Sequence, residues 1–138
     1  MNWVKIMESL DIEIIKDILK KDKRVVFAYL YGSYTEGGNF KDVDISVYST
    51  IEYDPFQLSA DLKVALYEST GIYPDFFDVR VINHLIDQGD LFSLLYLKQI
   101  LETNKLLVDK NFDLRTDFIE NYSMKYRECA GLIDEVML

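Results

Sequence analysis

Cysteine, histidine and proline are nearly absent from this chain of 138 residues, which holds one Cys, one His and two Pro. A single thiol, Cys129, cannot build an internal disulfide framework, and this points to a reducing compartment. A lone histidine, His84, with no second His or Cys beside it does not make a zinc site, so a structural or capping role is expected for it. Long apolar runs are missing too. The longest, Leu91 to Leu97, is interrupted by Ser93 and is far too short to span a bilayer. The opening segment, Met1 to Glu13, lacks the apolar core of a signal peptide, and the expected place is the cytoplasm, with no membrane partner. Positive charge is scarce: 15 Lys and Arg stand against 24 Asp and Glu, a net charge of −9. Such a surface repels a phosphate backbone, which argues against nucleic acid as a direct substrate and favours a basic protein as partner. A nucleotide remains compatible, because a bound cation reverses the local field.

What the chain has in quantity is apolar and aromatic residues. Hydrophobic residues make up 49% and aromatics 14%, with ten Tyr and eight Phe. That composition argues against disorder. The length suits one domain over residues 1–138, with helices of about 85–138 packed on it.

Residues 11–21 carry Ile14, Ile15, Ile18 and Leu19 on one helical face. Val25 to Tyr31 is a β-branched and aromatic run ending at Gly32, and reads as a buried strand. Residues 32–42 are rich in small residues and read as a turn and loop. Val43 to Tyr48 alternates Val43, Ile45 and Val47 with Asp44, Ser46 and Tyr48, the period of a strand with two unlike faces. Asp54-Pro55 opens a helix, with Asp54 as N-cap, Leu58, Leu62, Ala65 and Leu66 as its buried face and Gly71 as its stop. A third strand is expected from about Phe76 to Ile82. Helices follow over residues 85–102, with Leu91, Leu94, Leu95, Leu97 and Leu101, and over residues 114–135, with Leu114, Phe118, Tyr122, Tyr126, Cys129 and Ile133. Three strands interleaved with helices imply an α/β (α+β) fold with a small mixed sheet.

Three features bear on chemistry. Gly32-Ser33 follows a strand; Gly32 permits close backbone approach, and a helical turn from Ser33 to Glu36 would aim N–H groups at an anion. The bland alternative is an ordinary turn. Asp42 and Asp44 are two apart at the start of a strand, so both carboxylates point to one face. Two such charges either face solvent or hold a cation between them, and Mg²⁺ is commonly held by one or two carboxylates plus substrate phosphates. Asp78, between Phe77 and Val79, is a third acid in a strand. Arg80 shares its face, so a structural ion pair is one reading. If this strand neighbours the second, Asp78 completes a triad with Asp42 and Asp44, the layout for two-metal nucleotidyl transfer.

Together, Gly32-Ser33, Gly37, Asp42-Val43-Asp44-Ile45 and Asp78 in Phe-Phe-Asp-Val-Arg-Val-Ile resemble the nucleotidyltransferase superfamily related to DNA polymerase beta. More narrowly, they are similar to its minimal prokaryotic members, the MNT or MntA-type proteins. The segment from Val79 to Asp109 is similar to the tail of that family, including a short apolar edge at Leu106-Leu107-Val108. The resemblance implies that Gly32 and Ser33 hold the triphosphate of ATP. It also implies that Asp42 and Asp44 ligate two Mg²⁺ ions, and that Asp78 ligates the catalytic one and helps deprotonate the attacking hydroxyl. Two departures stand out. The loop between Ser33 and Asp42 is shorter than is usual there, and Glu36 stands where a basic residue is common. Lys41, just before the acid pair, is the candidate replacement charge.

The resemblance further implies an antitoxin that transfers AMP from ATP to a tyrosine of a HEPN-type toxin. Two other readings are open: a binding antitoxin that neutralises its partner by complex formation, and a small-molecule nucleotidyltransferase, which would need a substrate domain or a homo-oligomer. Among the remaining residues, Cys129, Tyr122 and Tyr126 are expected to pack, Trp3 to anchor or cap, and Lys20, Lys21, Lys23 and Arg24 to complement a helix end.

Overall fold

The computed structural model describes residues 11–31, 42–50, 53–88, 90–103 and 105–137. Helix α1, Ile12–Lys21, starts where Asp11 accepts a hydrogen bond from the Glu13 N–H, and ends with Lys20 and Lys21 in its last turn. Strands β1, Val25–Tyr31, and β2, Val43–Ser49, pair antiparallel. Helix α2, Pro55–Thr70, carries both signals read from the sequence. Asp54 accepts from the Phe56 N–H, and Gly71 closes the helix in the left-handed region at φ 74°, its N–H donating to the Tyr67 carbonyl. A 3-10 turn, Pro74–Phe76, leads into β3, Phe77–Val81, which pairs parallel with β2. The crossover helix between these parallel strands is α2, as a parallel connection requires.

The rest departs from the sequence reading in three places. A fourth strand, β4 (Lys105–Asp109), pairs antiparallel with β1, so the sheet has the order β3-β2-β1-β4 and not three strands. The region expected as one helix over 85–102 is two, α3 (Leu85–Gln88) and α4 (Leu91–Thr103). The cause is Asp90, whose carboxylate accepts from the Ser93 N–H at 2.8 Å and from the Ser93 hydroxyl at 3.0 Å. That is an N-cap inside an apolar pattern that reads as continuous. The last helix is likewise two, α5 (Phe112–Glu128) and α6 (Ala130–Met137). They part at Cys129, which is half-buried and not the core residue expected.

Alternation along the strands divides the sheet into two unlike faces. One bears Ala28, Leu30, Val43, Ile45, Val47, Phe77 and Val79, packed with Ile15 and Leu19 of α1 and Leu58, Leu62 and Leu66 of α2. Ala65 of α2 is only partly buried. The other bears Phe27 and Tyr29, packed with Leu97 and Ile100 of α4 and Phe118 of α5. The sheet is thus mixed and flanked by helices, an α/β arrangement. Among the described residues, no helix is long and apolar enough to cross a membrane.

Candidate active site

Directly opposite residues on paired strands share a face, so register decides which side chains meet. Tyr31 of β1 lies opposite Asp44 of β2, and Asp44 lies opposite Asp78 of β3. One step further along, Tyr29, Ser46 and Arg80 form the next row. Asp44 and Asp78 therefore lie side by side on neighbouring strands, about 4.8 Å apart in the sheet direction. Asp42 precedes β2 by one residue and is exposed, as is Asp78; Asp44 is half-buried.

Electrostatics sets this row apart from the rest of the sheet. Burial pushes the Asp44 carboxyl up to about 6, and the charges of Asp78 and then Asp42 push in the same direction; Arg80 opposes them. The three acids thus act on one another across two strands. Arg80 does not make the ion pair with Asp78 that its position on the strand suggests. Among the described residues, no salt bridge joins it to either acid, and its guanidinium instead lies over the Tyr96 ring, 4.5 Å from the centroid. Tyr96, on α4, is anchored in turn: its hydroxyl and that of Ser46, which is fully buried, are 2.9 Å apart. The Tyr31 ring meets Tyr96 edge-on at 5.8 Å, and its hydroxyl donates to the Gln99 side-chain carbonyl. The acid end is thus walled on one side by Tyr31, Tyr96 and Arg80.

The sequence-level site residues divide accordingly. The structure brings Asp44 and Asp78 into one register, with Asp42 close enough to influence Asp44. Gly32, Ser33 and Lys41, together with Glu36 and Trp3, lie outside the described residues. Spacing alone puts Arg80 on the Asp78 face, but nothing local in the sequence marks Tyr96 as a neighbour of the acids. Ser46 shares the Asp44 face by alternation alone, and Tyr96 arrives from α4, fifty residues further along the chain.

Whether these residues suit a divalent ion can be judged from the donors. All three are carboxylates, the oxygen ligands that Mg²⁺ prefers, and they carry mutual repulsion that a cation would relieve. Among the described residues, which include these three acids, no three or more His, Cys, Asp or Glu side chains are gathered closely enough to hold a metal ion by themselves. Magnesium does not require such a group, since it keeps waters and takes ligands from substrate phosphates. The donor set therefore fits Mg²⁺ carried in with a nucleotide.

Two other residues set apart by type, Arg24 and His84, have acidic neighbours of their own. Arg24 is bound to Asp22 at 2.7 Å and to Asp61 at 2.8 Å, which ties the α1–β1 turn to α2. His84 is exposed, with its ring 3.6 Å from the Asp87 carboxylate. A hollow of about 480 Å³ lies at the far end of the face, lined by Tyr48, Asp87, Phe118 and Met124 among others, and does not include the acids.

Comparison with known proteins bears on the family and the fold. Residues 13–113 match the family model described as Polymerase beta, Nucleotidyltransferase. No curated protein matches the chain. Among solved structures, the chain is similar to one of the MntA toxin-antitoxin system carrying two Asp-to-Glu changes, with TM-score 0.62 and 20% identity over 94% of this chain and 100% of that one. It is similar to a toxin-antitoxin structure with AMP-PNP, with TM-score 0.62 and 21% identity over 94% and 100%. A third is a tri-AMPylated Shewanella oneidensis HEPN toxin in complex with its MNT antitoxin, with TM-score 0.53 and 20% identity over 93% and 100%. At these identities the likeness is one of fold.

Proposed function

We propose that this chain, which belongs to the polymerase beta nucleotidyltransferase family, is a Mg²⁺-dependent adenylyltransferase. In this reading it transfers AMP from ATP to a tyrosine hydroxyl of a HEPN-type toxin and so acts as the cytoplasmic antitoxin of that pair. The observation that carries the reading is the parallel register that sets Asp44 beside Asp78, where burial and then the charges of Asp78 and Asp42 push the Asp44 carboxyl up to about 6. A half-buried Asp44 with a second carboxylate beside it does nothing for packing, and a cation between them would relieve the cost. Support for the acceptor comes from fold likeness to structures of toxin-antitoxin pairs, one with AMP-PNP and one with an AMPylated HEPN toxin. The net charge of −9 suits a protein acceptor better than a nucleic acid.

The chemistry assigns each residue a task. Gly32, Ser33 and Lys41 would hold the triphosphate. Asp42 and Asp44 would hold two Mg²⁺ ions, with Asp78 as a ligand on the side of the attacking group. Bound there, the ions supply charge neutralisation at the phosphates and activation of the attacking oxygen. Asp78 accepts the tyrosine proton as the phenolic oxygen bonds to the α-phosphorus, and the bond to the pyrophosphate oxygen breaks. The products are an AMP-tyrosine phosphodiester and pyrophosphate. Tyr31 and Tyr96 wall the site.

Asp42→Asn and Asp44→Asn test the proposal. Each is expected to abolish transfer of label from α-labelled ATP to the co-expressed toxin while leaving the two proteins able to co-purify. The second reading, neutralisation by binding alone, draws on the short stretch between Ser33 and Asp42 and on Glu36, which stands where a basic residue is common. It prevails if both variants still neutralise the toxin in cells.

A further inference from the structure

Among the described residues, Arg80 is a cation with no carboxylate bound to it, next to three acids. Among the described residues, no hydrogen bond or salt bridge engages its guanidinium, whereas Arg24 and Arg115 are both paired with carboxylates at 2.7–2.8 Å. Its position is nevertheless fixed. It lies one row beyond Asp78 on the same face, opposite Ser46, and its guanidinium rests over the Tyr96 ring at 4.5 Å. Tyr96 in turn is fastened to the buried Ser46 hydroxyl at 2.9 Å. A stacked guanidinium keeps its five N–H donors in plane and free at the edge, which is the geometry that meets a phosphate with two parallel hydrogen bonds. Solvent reaches it, for Arg80 is exposed and lines a hollow of about 370 Å³ at the open edge of β3, together with Phe56, Ser59 and His84.

We propose that Arg80 is a substrate-binding residue whose guanidinium, held by the Tyr96–Ser46 brace, takes the non-bridging oxygens of the nucleotide's α-phosphate. The inference rests on the nucleotidyltransferase reading of the acid site. The position explains the choice of phosphate. Asp78 is the acid placed on the side of the attacking group, and Arg80 is its neighbour on that strand, so it borders the phosphorus under attack rather than the distal phosphates. Its role is charge stabilisation where negative charge spreads in the transition state, from a donor that needs no reorganisation. Tyr96 is a positioning residue in this scheme, acting through Arg80.

The test is equilibrium binding of AMP and of a non-hydrolysable ATP analogue, with Mg²⁺ present, to the whole protein and to Arg80→Ala, Arg80→Lys and Arg127→Ala. Arg127 is an exposed arginine on α5 that removes the same charge elsewhere. Arg80→Ala is expected to weaken both ligands by at least tenfold and by a similar factor, because the α-phosphate is common to them. Arg80→Lys is expected to recover part of that loss, and Arg127→Ala to leave binding unchanged. Tyr96→Phe, which keeps the ring but loses the bond to Ser46, should bind more weakly than the unaltered protein and more tightly than Arg80→Ala, while Tyr96→Leu, which removes the ring, should share the Arg80→Ala defect. Loss confined to the ATP analogue would overturn the assignment to the α-phosphate. Equal binding by Arg80→Ala and the unaltered protein would overturn the role of Arg80 while leaving the nucleotidyltransferase reading in place. An unaltered protein that binds neither ligand would sink both.

Discussion

On the sheet face covered by α4 and α5, Phe27 stacks on Tyr48 at 4.8 Å and Phe118 closes over both from 5.4 and 5.7 Å. Four residues back along β2, on the same face, Asp44 lies beside Asp78 with no salt bridge to relieve either among the described residues. Strand β2 runs through both ends, paired with β1 where Phe27 meets Tyr48 and with β3 where Asp44 meets Asp78. At the first end, apolar area leaves water and aromatic rings meet edge and face, which stabilises the fold. At the second, the parallel pairing of β2 with β3 brings like charges together, with Asp44 half-buried, which opposes folding. The contrast separates what the sheet does for stability from what it does for chemistry: one end buries aromatic area across β1 and β2, and at the other the β2–β3 register sets two acids side by side. Between the ends lies the Ser46–Tyr96 hydrogen bond, the polar seam where packing gives way to the site.

Changes at either end should differ in sign. Phe27→Ala, at a fully buried residue, is expected to lose about 3–5 kcal/mol of stability, measured by urea unfolding. A loss under about 1 kcal/mol would show that the aromatic end does not hold the register. Ser46→Ala leaves the Tyr96 hydroxyl without its partner in a partly buried setting, and about 1–3 kcal/mol should be lost in the same assay. Asp44→Asn should instead stabilise the metal-free protein at pH 8. Because the Asp44 carboxyl is raised from 3.8 to about 6, its protonated form favours the folded state. That contribution is fully present below about pH 4 and is lost as the pH rises through about 6. The gain in melting temperature from Asp44→Asn should therefore shrink between pH 8 and pH 4; a gain independent of pH would assign it to packing. The smallest shift is expected from Mg²⁺ itself. Added at pH 8, it should raise the melting temperature of the unaltered protein through binding to the folded state, and do less to Asp44→Asn. Equal shifts in both would show that the ion binds elsewhere.

Much of the first half of the chain is legible because its signals are local. Asp11 and Asp54 cap helices, Gly71 ends one, and the alternation in Val43 to Tyr48 assigns Asp44, Ser46 and Tyr48 to one face before any partner is known. The second half is less legible for the same reason. Asp90 caps a helix from within a continuous leucine pattern, and at Cys129 an apolar spacing that reads as one helix runs across a break. Strand β4 is a run of three apolar residues whose partner, β1, lies some eighty positions earlier.

What the sequence determined alone is thus the inventory: acids two apart at a strand start, a third acid in a later strand, and the face each occupies along its own strand. Periodicity needs only the backbone, so it can be read without a fold. The tertiary structure decided which strands lie side by side. It put β3 next to β2 in parallel with Asp44 opposite Asp78, brought Tyr96 from α4 beneath Arg80, and turned Arg80 away from the ion pair that spacing suggests. Those outcomes depend on contacts between segments distant in the chain. Burial of both sheet faces selects those contacts, and no short stretch of residues encodes them.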